Sequence, residues 1–380
     1  MEIPNILITT IKSAITKTPV TNFDEQIDYD ALFKLSLSHD LIPLVSEGLF
    51  KNGLLLQNET GNNFKIVQKL ALVQFAKMEI ERNKIIQLFS NNKIPFILLK
   101  GSVLNKYYPE KYLRTQGDID ILIPTDRYDE ASCLLTDTLN CEKGLKGTHD
   151  ITFKTPQGIH IELHFSLDGT NENIEHILNT VWENTTPADD NPYQLSMNHE
   201  FFLFYHIVHM AKHFKAGGIG IKAFLDLWII KEKMDLSEEK VYALFEKAGL
   251  LDFYKAVLKL ATVWFSDEEH TDFSKQLEDF VLNAGVFGTI ETNVALSQIE
   301  KGGKLKHLTS RVFLTRKQME TYYPMSKKLP YLLPYYQIKR WFRIFFSSGR
   351  DHALSEIKET GFMTAKKQTE IENLYNKLNI

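Results

Sequence analysis

Several features that mark whole classes of protein are scarce in this chain. Of its 380 residues only Cys133 and Cys141 are cysteines. That excludes a disulfide framework and a cysteine-rich zinc site, and it fits a reducing cytoplasm. No apolar run approaches the roughly 18 residues that a membrane-spanning helix needs. Met1-Glu2-Ile3-Pro4-Asn5 is no basic segment leading into an apolar core, so neither a membrane span nor a signal peptide is expected. Positive charge is not in excess: 44 Lys and Arg stand against 48 Asp and Glu, a net charge of -4. An extended nucleic acid is therefore not an expected partner, and any anion site must be local. Internal repeats and low-complexity tracts are absent.

What the chain does hold is apolar and aromatic bulk. Hydrophobic residues make up 43%, with 25 Phe and 15 Tyr, enough for large filled cores, and the length predicts two or three packed units. Residues 1–90 read as helical, with apolar residues three and four apart in Ala31–Leu37 and from Phe64 to Phe89 and a polar loop at Gln57–Asn63. The pattern then changes. Ile94-Pro95-Phe96-Ile97-Leu98-Leu99 reads as a buried strand ending at the turn Lys100-Gly101-Ser102, followed by a short helix over Val103–Tyr108. Thr125 or Asp126 is placed to cap a helix running to about Leu139. Asp150–Lys154 and Ile159–Phe165 are two strands joined by Thr155-Pro156-Gln157-Gly158. Asn184–Tyr193, with two prolines and small polar residues, reads as a boundary loop, and Ser196–Phe214 opens a further series of helices.

The stretch richest in chemistry is Gly117-Asp118-Ile119-Asp120-Ile121-Leu122-Ile123. Side chains alternate along a strand, so Asp118 and Asp120 share one face while Ile119, Ile121 and Ile123 share the other. Two like charges so close repel, and each loses hydration where water is scarce. A divalent cation between them removes the conflict, and hard oxygen ligands suit Mg²⁺. By the same alternation His160, Glu162 and His164 share a face of the later strand. Three carboxylates on neighbouring strands can hold two divalent ions about 4 Å apart, as in-line displacement at phosphorus requires. Gly101 lets backbone approach a phosphate, the helix start offers free N–H groups, and the Ser102 hydroxyl can donate to a terminal phosphate. Taken singly, each feature is better read as an ordinary turn, a capped helix or a wet edge strand.

Taken together they resemble the polymerase-β-like nucleotidyltransferases. More closely, Phe96–Gly101, then Arg114 with Gly117–Leu122, then Ile161-Glu162-Leu163-His164 are similar to the bacterial family of uncharacterised nucleotidyltransferases, over most of residues 20–300. The resemblance implies an α+β fold: a small mixed sheet with helices, flanked by N-terminal helices and a C-terminal helical domain. The implied divisions are an N-terminal helical region (1–90), the core (91–168), a helical substrate domain (169–300), and an irregular segment with C-terminal helices (301–380). It implies Asp118, Asp120 and Glu162 as catalytic metal ligands for Mg²⁺ (or Mn²⁺), two ions in all. Gly101 and Ser102 match the phosphate turn, and Lys100 and Arg114 match basic positions suited to triphosphate charge, where Arg binds in a bidentate way. The implied activity moves a nucleoside monophosphate from an NTP such as ATP to an acceptor hydroxyl on a small molecule or a protein, releasing pyrophosphate. The alternative is a non-catalytic nucleotide sensor or scaffold that retains the fold.

Four further side chains are candidates for substrate contact. His164 follows Glu162 on the same strand face. His209 and His213 fall with His206 on one side of a helix, without the Glu of a zinc-binding His-Glu-x-x-His pair, so a partly exposed helix face is the simpler expectation. Asp226 lies in the apolar stretch Phe224-Leu225-Asp226-Leu227-Trp228 and needs a partner, with Lys222 nearest in sequence or a place in the cleft. Finally, Arg340 and Arg343 beside Trp341, Phe342, Phe345 and Phe346 read as a packed helix whose cations reach water, and Lys366–Lys377 as a solvated terminal helix.

Overall fold

A computed structural model describes residues 2–19, 27–169, 171–266, 268–285 and 365–380, together with Met319, Leu333 and Tyr336. The arginine- and aromatic-rich stretch around Trp341 lies outside the described residues. The chain divides into two compact units. One comprises Met1–Lys212 and Gly220–Leu282, the other His213–Ile219 and Asn283–Ile380.

The first unit begins with four helices: α1 (Ile3–Thr16), α2 (Tyr29–Ser38), α3 (Ile42–Lys51) and the 33-residue α4 (Glu59–Asn91). Side-chain caps start two of them: Asp28 accepts from the Ala31 amide and Asn58 from the Gly61 amide, each filling a donor that the first helical turn leaves open. The sheet follows. Its strands are β1 (Phe96–Leu98), β2 (Asp118–Leu122), β3 (Glu142–Lys146), β4 (Asp150–Lys154), β5 (His160–His164), β6 (Thr185–Ala188) and β7 (Asn191–Met197). They lie in the order β3-β4-β5-β2-β1-β7-β6. The short helix α5 (Gly101–Leu104) follows β1, α6 (Tyr128–Asp137) follows β2, and α7 (Glu172–Leu178) follows β5. The fold is thus α+β, a mixed seven-stranded sheet with helices, as the sequence implies.

Two expectations need correction. Asn184–Tyr193 is no loop: most of it belongs to the hairpin β6–β7, and β7 runs parallel to β1, one strand in from the edge of the sheet. Pro187 is tolerated because β6 is an edge strand, where a missing N–H breaks no ladder. Ahead of α6, neither Thr125 nor Asp126 caps with its side chain; Thr125–Arg127 form a 3₁₀ turn instead.

One face of the sheet is the core. Ile119, Ile121, Ile123, Ile161 and Leu163 are fully buried there with Phe96 and Phe153, under Ile85 and Phe89 of α4 and Ala131 and Leu135 of α6. Burying each such side chain contributes about 1.5–3 kcal/mol. That contribution fixes the register, because a slip of one residue would turn every isoleucine of β2 out of the core. The helices α8 (His199–Lys215), α9 (Ile221–Lys233), α10 (Glu238–Ala248), α11 (Leu251–Phe265) and α12 (Asp272–Ala284) follow. α9 packs on α11, and the Phe224 and Trp264 rings meet edge to face at 5.1 Å.

The second unit contains the terminal helix α13 (Ala365–Leu378). This helix is not wholly solvated: Ile371, Leu374, Tyr375 and Leu378 are buried, and the Tyr375 hydroxyl donates to the Phe214 carbonyl.

Candidate active site

The polar face of the sheet gathers the acidic residues. β2 and β5 pair in parallel, with Asp118 opposite His160, Asp120 opposite Glu162 and Leu122 opposite His164. A parallel pair requires a long crossover, here α6 and the β3–β4 meander, so residues 42 positions apart become lateral neighbours. Two carboxylates directly across a ladder repel. Here that repulsion is offset by cations on the same face.

Asp120 is 4% exposed. Its Oδ1 accepts from the Lys100 ammonium at 2.7 Å and lies 3.0 Å from His164 Nε2. The same imidazole nitrogen is 3.5 Å from Glu162 Oε2. Burial opposes ionisation of Asp120, but the Lys100 charge and the His164 hydrogen bond hold it well below the usual carboxylate range. Burial equally opposes a charged His164, yet its hydrogen bonds to Asp120 and Glu162 lift the imidazole to about 9. Lys100 is likewise raised, its desolvation outweighed by Asp120. Asp118 differs: burial, then the Asp120 and Glu162 charges, push its carboxyl up to about 6. Lys100 and His164 therefore bring two positive charges to one carboxylate oxygen, the charge of one divalent cation.

Lys100 reaches this position from a strained backbone. Its φ of 46° and ψ of -118° are those of the first central residue of a type II′ turn, a position that favours Gly. The Ser102 amide closes the turn on the Leu99 carbonyl at 3.2 Å. Such outliers cost on the order of 1–3 kcal/mol and cluster at functional sites. Gly101 is required for space: a Cβ there would lie 2.3 Å from Gln116 Oε1 and 2.7 Å from Arg114 Nη1. Ser102 Oγ and Gln116 Oε1 are both buried with no hydrogen-bond partner in the structure. An orphaned hydroxyl on a Gly-Ser turn, two residues after the lysine that binds Asp120, is what a phosphate-bearing ligand would satisfy.

Arg114 and Asp226 are brought together, a pairing the sequence did not suggest. Arg114 Nη2 donates to Asp226 Oδ2 at 2.7 Å and Nε to Oδ1 at 3.3 Å, while Nη1 binds the Thr115 carbonyl. The Tyr108 hydroxyl adds a third bond to Asp226 at 2.7 Å. Burial notwithstanding, Arg114 holds Asp226 below its ordinary value. Lys222, nearest to Asp226 in sequence, pairs with Asp40. This ion pair makes Asp226 a tether for the loop under the Gly101 turn, and the guanidinium fork expected on phosphate is turned to a carboxylate.

Of the histidines on α8, His206 is buried rather than partly exposed, its Nε2 3.0 Å from the Ala223 carbonyl, and burial lowers its pKa. His209 is half-buried, its ring 6.5 Å from that of Tyr205. His213 is half-buried and falls in the second unit. Tyr205 is a neighbour that sequence reasoning missed. Burial raises its phenol, Lys100 opposes this, and Asp120, Glu162 and Asp118 add to it. Its only sequence signal was a place four residues before His209, one helical turn away.

Among the described residues one group offers three metal-ligating atoms within 4.8 Å of one another: Asp120, Glu162 and His164. Asp118 lies two residues earlier on the same strand face, outside that group. The donors are carboxylate and imidazole, a set that suits a divalent cation.

A mixed sheet carrying Asp-x-Asp beside a third acid, with a Gly-Ser turn after the first strand, is the arrangement that the resemblance to nucleotidyltransferases implies. The family model described as Uncharacterised nucleotidyltransferase matches residues 25–266, and the chain belongs to that family. It is accordingly a nucleotidyltransferase enzyme, with a nucleoside triphosphate as substrate. No curated protein matches the chain. No helix among the described residues is long and apolar enough to cross a membrane.

Proposed function

We propose that the protein is a Mg²⁺- or Mn²⁺-dependent, cytoplasmic nucleotidyltransferase. It transfers a nucleoside monophosphate from an NTP to a hydroxyl of a small molecule or a protein. The acceptor oxygen gives its proton to solvent and bonds to the α-phosphorus as the bond to the bridging oxygen breaks, and pyrophosphate leaves. The observation that carries this reading is the in-register pairing that sets Asp120 beside Glu162, with Asp118 on the same face. Asp118, Asp120 and Glu162 would hold the ions, which supply charge neutralisation at the triphosphate and at the attacking oxygen. Gly101 and the orphaned Ser102 hydroxyl would take the outer phosphates, and Lys100 would neutralise them. Catalysis of this kind rests on positioning and charge rather than on a covalent step. On this reading the half-buried His209 and the helices after β7 would line the acceptor side. Two free thiols, Cys133 and Cys141, support a reducing compartment.

The test is incubation of the full chain with each α-³²P-labelled NTP, a divalent cation and candidate acceptors or lysate, beside an Asp118→Asn/Asp120→Asn control. Label transfer with pyrophosphate release, lost in the control, is the expected result. NTP binding without transfer to any acceptor would favour the sensor reading, and no cation-dependent NTP binding would remove both.

A further inference from the structure

The third side chain of the Asp120–Glu162–His164 group is an imidazole. We propose that the protein itself holds a single divalent cation on Asp120, Glu162 and His164 Nε2, and that the nitrogen makes this a Mn²⁺-class site rather than a Mg²⁺ site. The inference rests on the nucleotidyl-transfer reading for its place in the fold and adds the identity of the ion and its third ligand.

Three observations support it. First, the nitrogen converges on both carboxylates: Nε2 is 3.0 Å from Asp120 Oδ1 and 3.5 Å from Glu162 Oε2. Ligands on adjacent corners of an octahedron with bonds of ~2.1 Å are separated by about 3 Å. A carboxylate–imidazole hydrogen bond aimed at Asp120 alone would not require Glu162 Oε2 within 3.5 Å of the same nitrogen. Second, the backbone holds the trio in place. Glu162 and His164 are alternate residues of one strand, locked between β2 and β4 by ladders on both sides, so all three donors sit on rigid elements rather than loops. Third, charge favours one ion. Binding through Nε2 displaces the His164 proton to solvent. Asp118, Asp120 and Glu162 then carry three negative charges, and the Lys100 ammonium already lies on Asp120. The remaining two match one divalent cation; a second would have to arrive with the charge of the triphosphate.

Mg²⁺ binds oxygen and gives up its water reluctantly. Imidazole suits later first-row ions, whose affinity for nitrogen-containing sites rises from Mn²⁺ onward. Mn²⁺ keeps the preference for carboxylate while accepting the nitrogen, and it is paramagnetic, which makes the claim measurable without turnover.

The experiment uses the full chain, without nucleotide, titrated separately with Mn²⁺ and Mg²⁺ by calorimetry. Pulsed electron paramagnetic resonance of the Mn²⁺ complex then reads its ligands. One Mn²⁺ per chain is expected, bound about tenfold or more tightly than Mg²⁺, with ¹⁴N modulation from a directly bound imidazole. Protein grown with ¹⁵N-histidine should lose that ¹⁴N signature without any mutation, so the result does not depend on a variant folding. His164→Gln should lose it too, with Mn²⁺ affinity falling about tenfold or more and Mg²⁺ affinity moving less than about twofold. Mn²⁺ bound with no nitrogen modulation, or modulation unchanged by ¹⁵N-histidine, would overturn the assignment of His164 and leave nucleotidyl transfer on the carboxylates standing. Failure of either ion to bind, with or without NTP, would overturn both.

Discussion

The Lys100 ammonium lies 2.7 Å from Asp120 Oδ1, held there by a residue whose own backbone takes a conformation that favours Gly. Two opposing costs meet in one side chain. Lys100→Met leaves Asp120 buried with His164 as its remaining cationic partner, and removing one member of a buried pair costs about 3–5 kcal/mol. Lys100→Gly loses the same charge but relieves the turn. It should therefore be more stable than Lys100→Met by about 1 kcal/mol, a difference readable in urea midpoints. Divalent cation should raise the melting temperature of both variants more than that of the wild type, because it replaces the missing charge on the native state only.

His164 ties stability to alkaline pH. Its imidazole is raised from 6.5 to about 9 in the folded protein. The stabilisation is thus fully present below pH 6.5 and is lost as pH rises through about 9. The loss is on the order of 3 kcal/mol and should appear as a falling melting temperature across that window. In His164→Gln the slope should flatten. A wild-type curve flat from pH 6.5 to 9 would mean that the ring is not held charged by Asp120 and Glu162.

Gly101→Ala tests the phosphate turn. The added methyl meets Gln116 Oε1 and Arg114 Nη1 at contact distances below 3 Å, so either the turn or both side chains must move. Binding of NTP measured by calorimetry should weaken by about tenfold or more, since misplacement by about 1 Å of a positioning element costs on the order of 10²-fold in rate. Unchanged binding would show that the turn does not touch the donor.

The Arg114–Asp226 pair invites a double-mutant cycle. Arg114→Met or Asp226→Leu alone strands a buried charge and should cost about 3–5 kcal/mol, whereas the double variant should cost less than either single change predicts. Arg114→Lys should also be destabilising, because an ammonium cannot reproduce the two-pronged contact with Asp226 while holding the Thr115 carbonyl. If the two losses simply add, the contact is not energetically coupled.

How much of this was legible in the sequence follows from the range of each interaction. Alternation in Asp118–Ile123 and in Ile159–Phe165 gave both strands and the faces of their acids, because period two is a local property. The partner of Asp226 was not legible: Arg114 lies 112 positions away, and Lys222, four residues distant, looked the better candidate. The β6–β7 hairpin escaped because Pro187, Pro192 and the Asp189-Asp190 pair resemble loop composition, and because edge position, which excuses the proline, is a tertiary fact. β3 was missed for a related reason. Every residue of Glu142–Lys146 is exposed, so no apolar alternation betrays it. His206 looked like its neighbours on the helix until burial set it apart.

β1 has three residues and sits between an antiparallel partner and a parallel one, the second supplied by residues 191–197. A chain emerging from the ribosome has therefore made Lys100, Asp118, Asp120, Glu162 and His164 before it makes the strand that closes the sheet on the far side of β1. Until then the edge next to the phosphate turn is an open row of amides and carbonyls. A fragment cut at residue 168 keeps every acidic residue of the site and is left permanently in that nascent condition, a poor reagent for studying the chemistry and a good template for self-association.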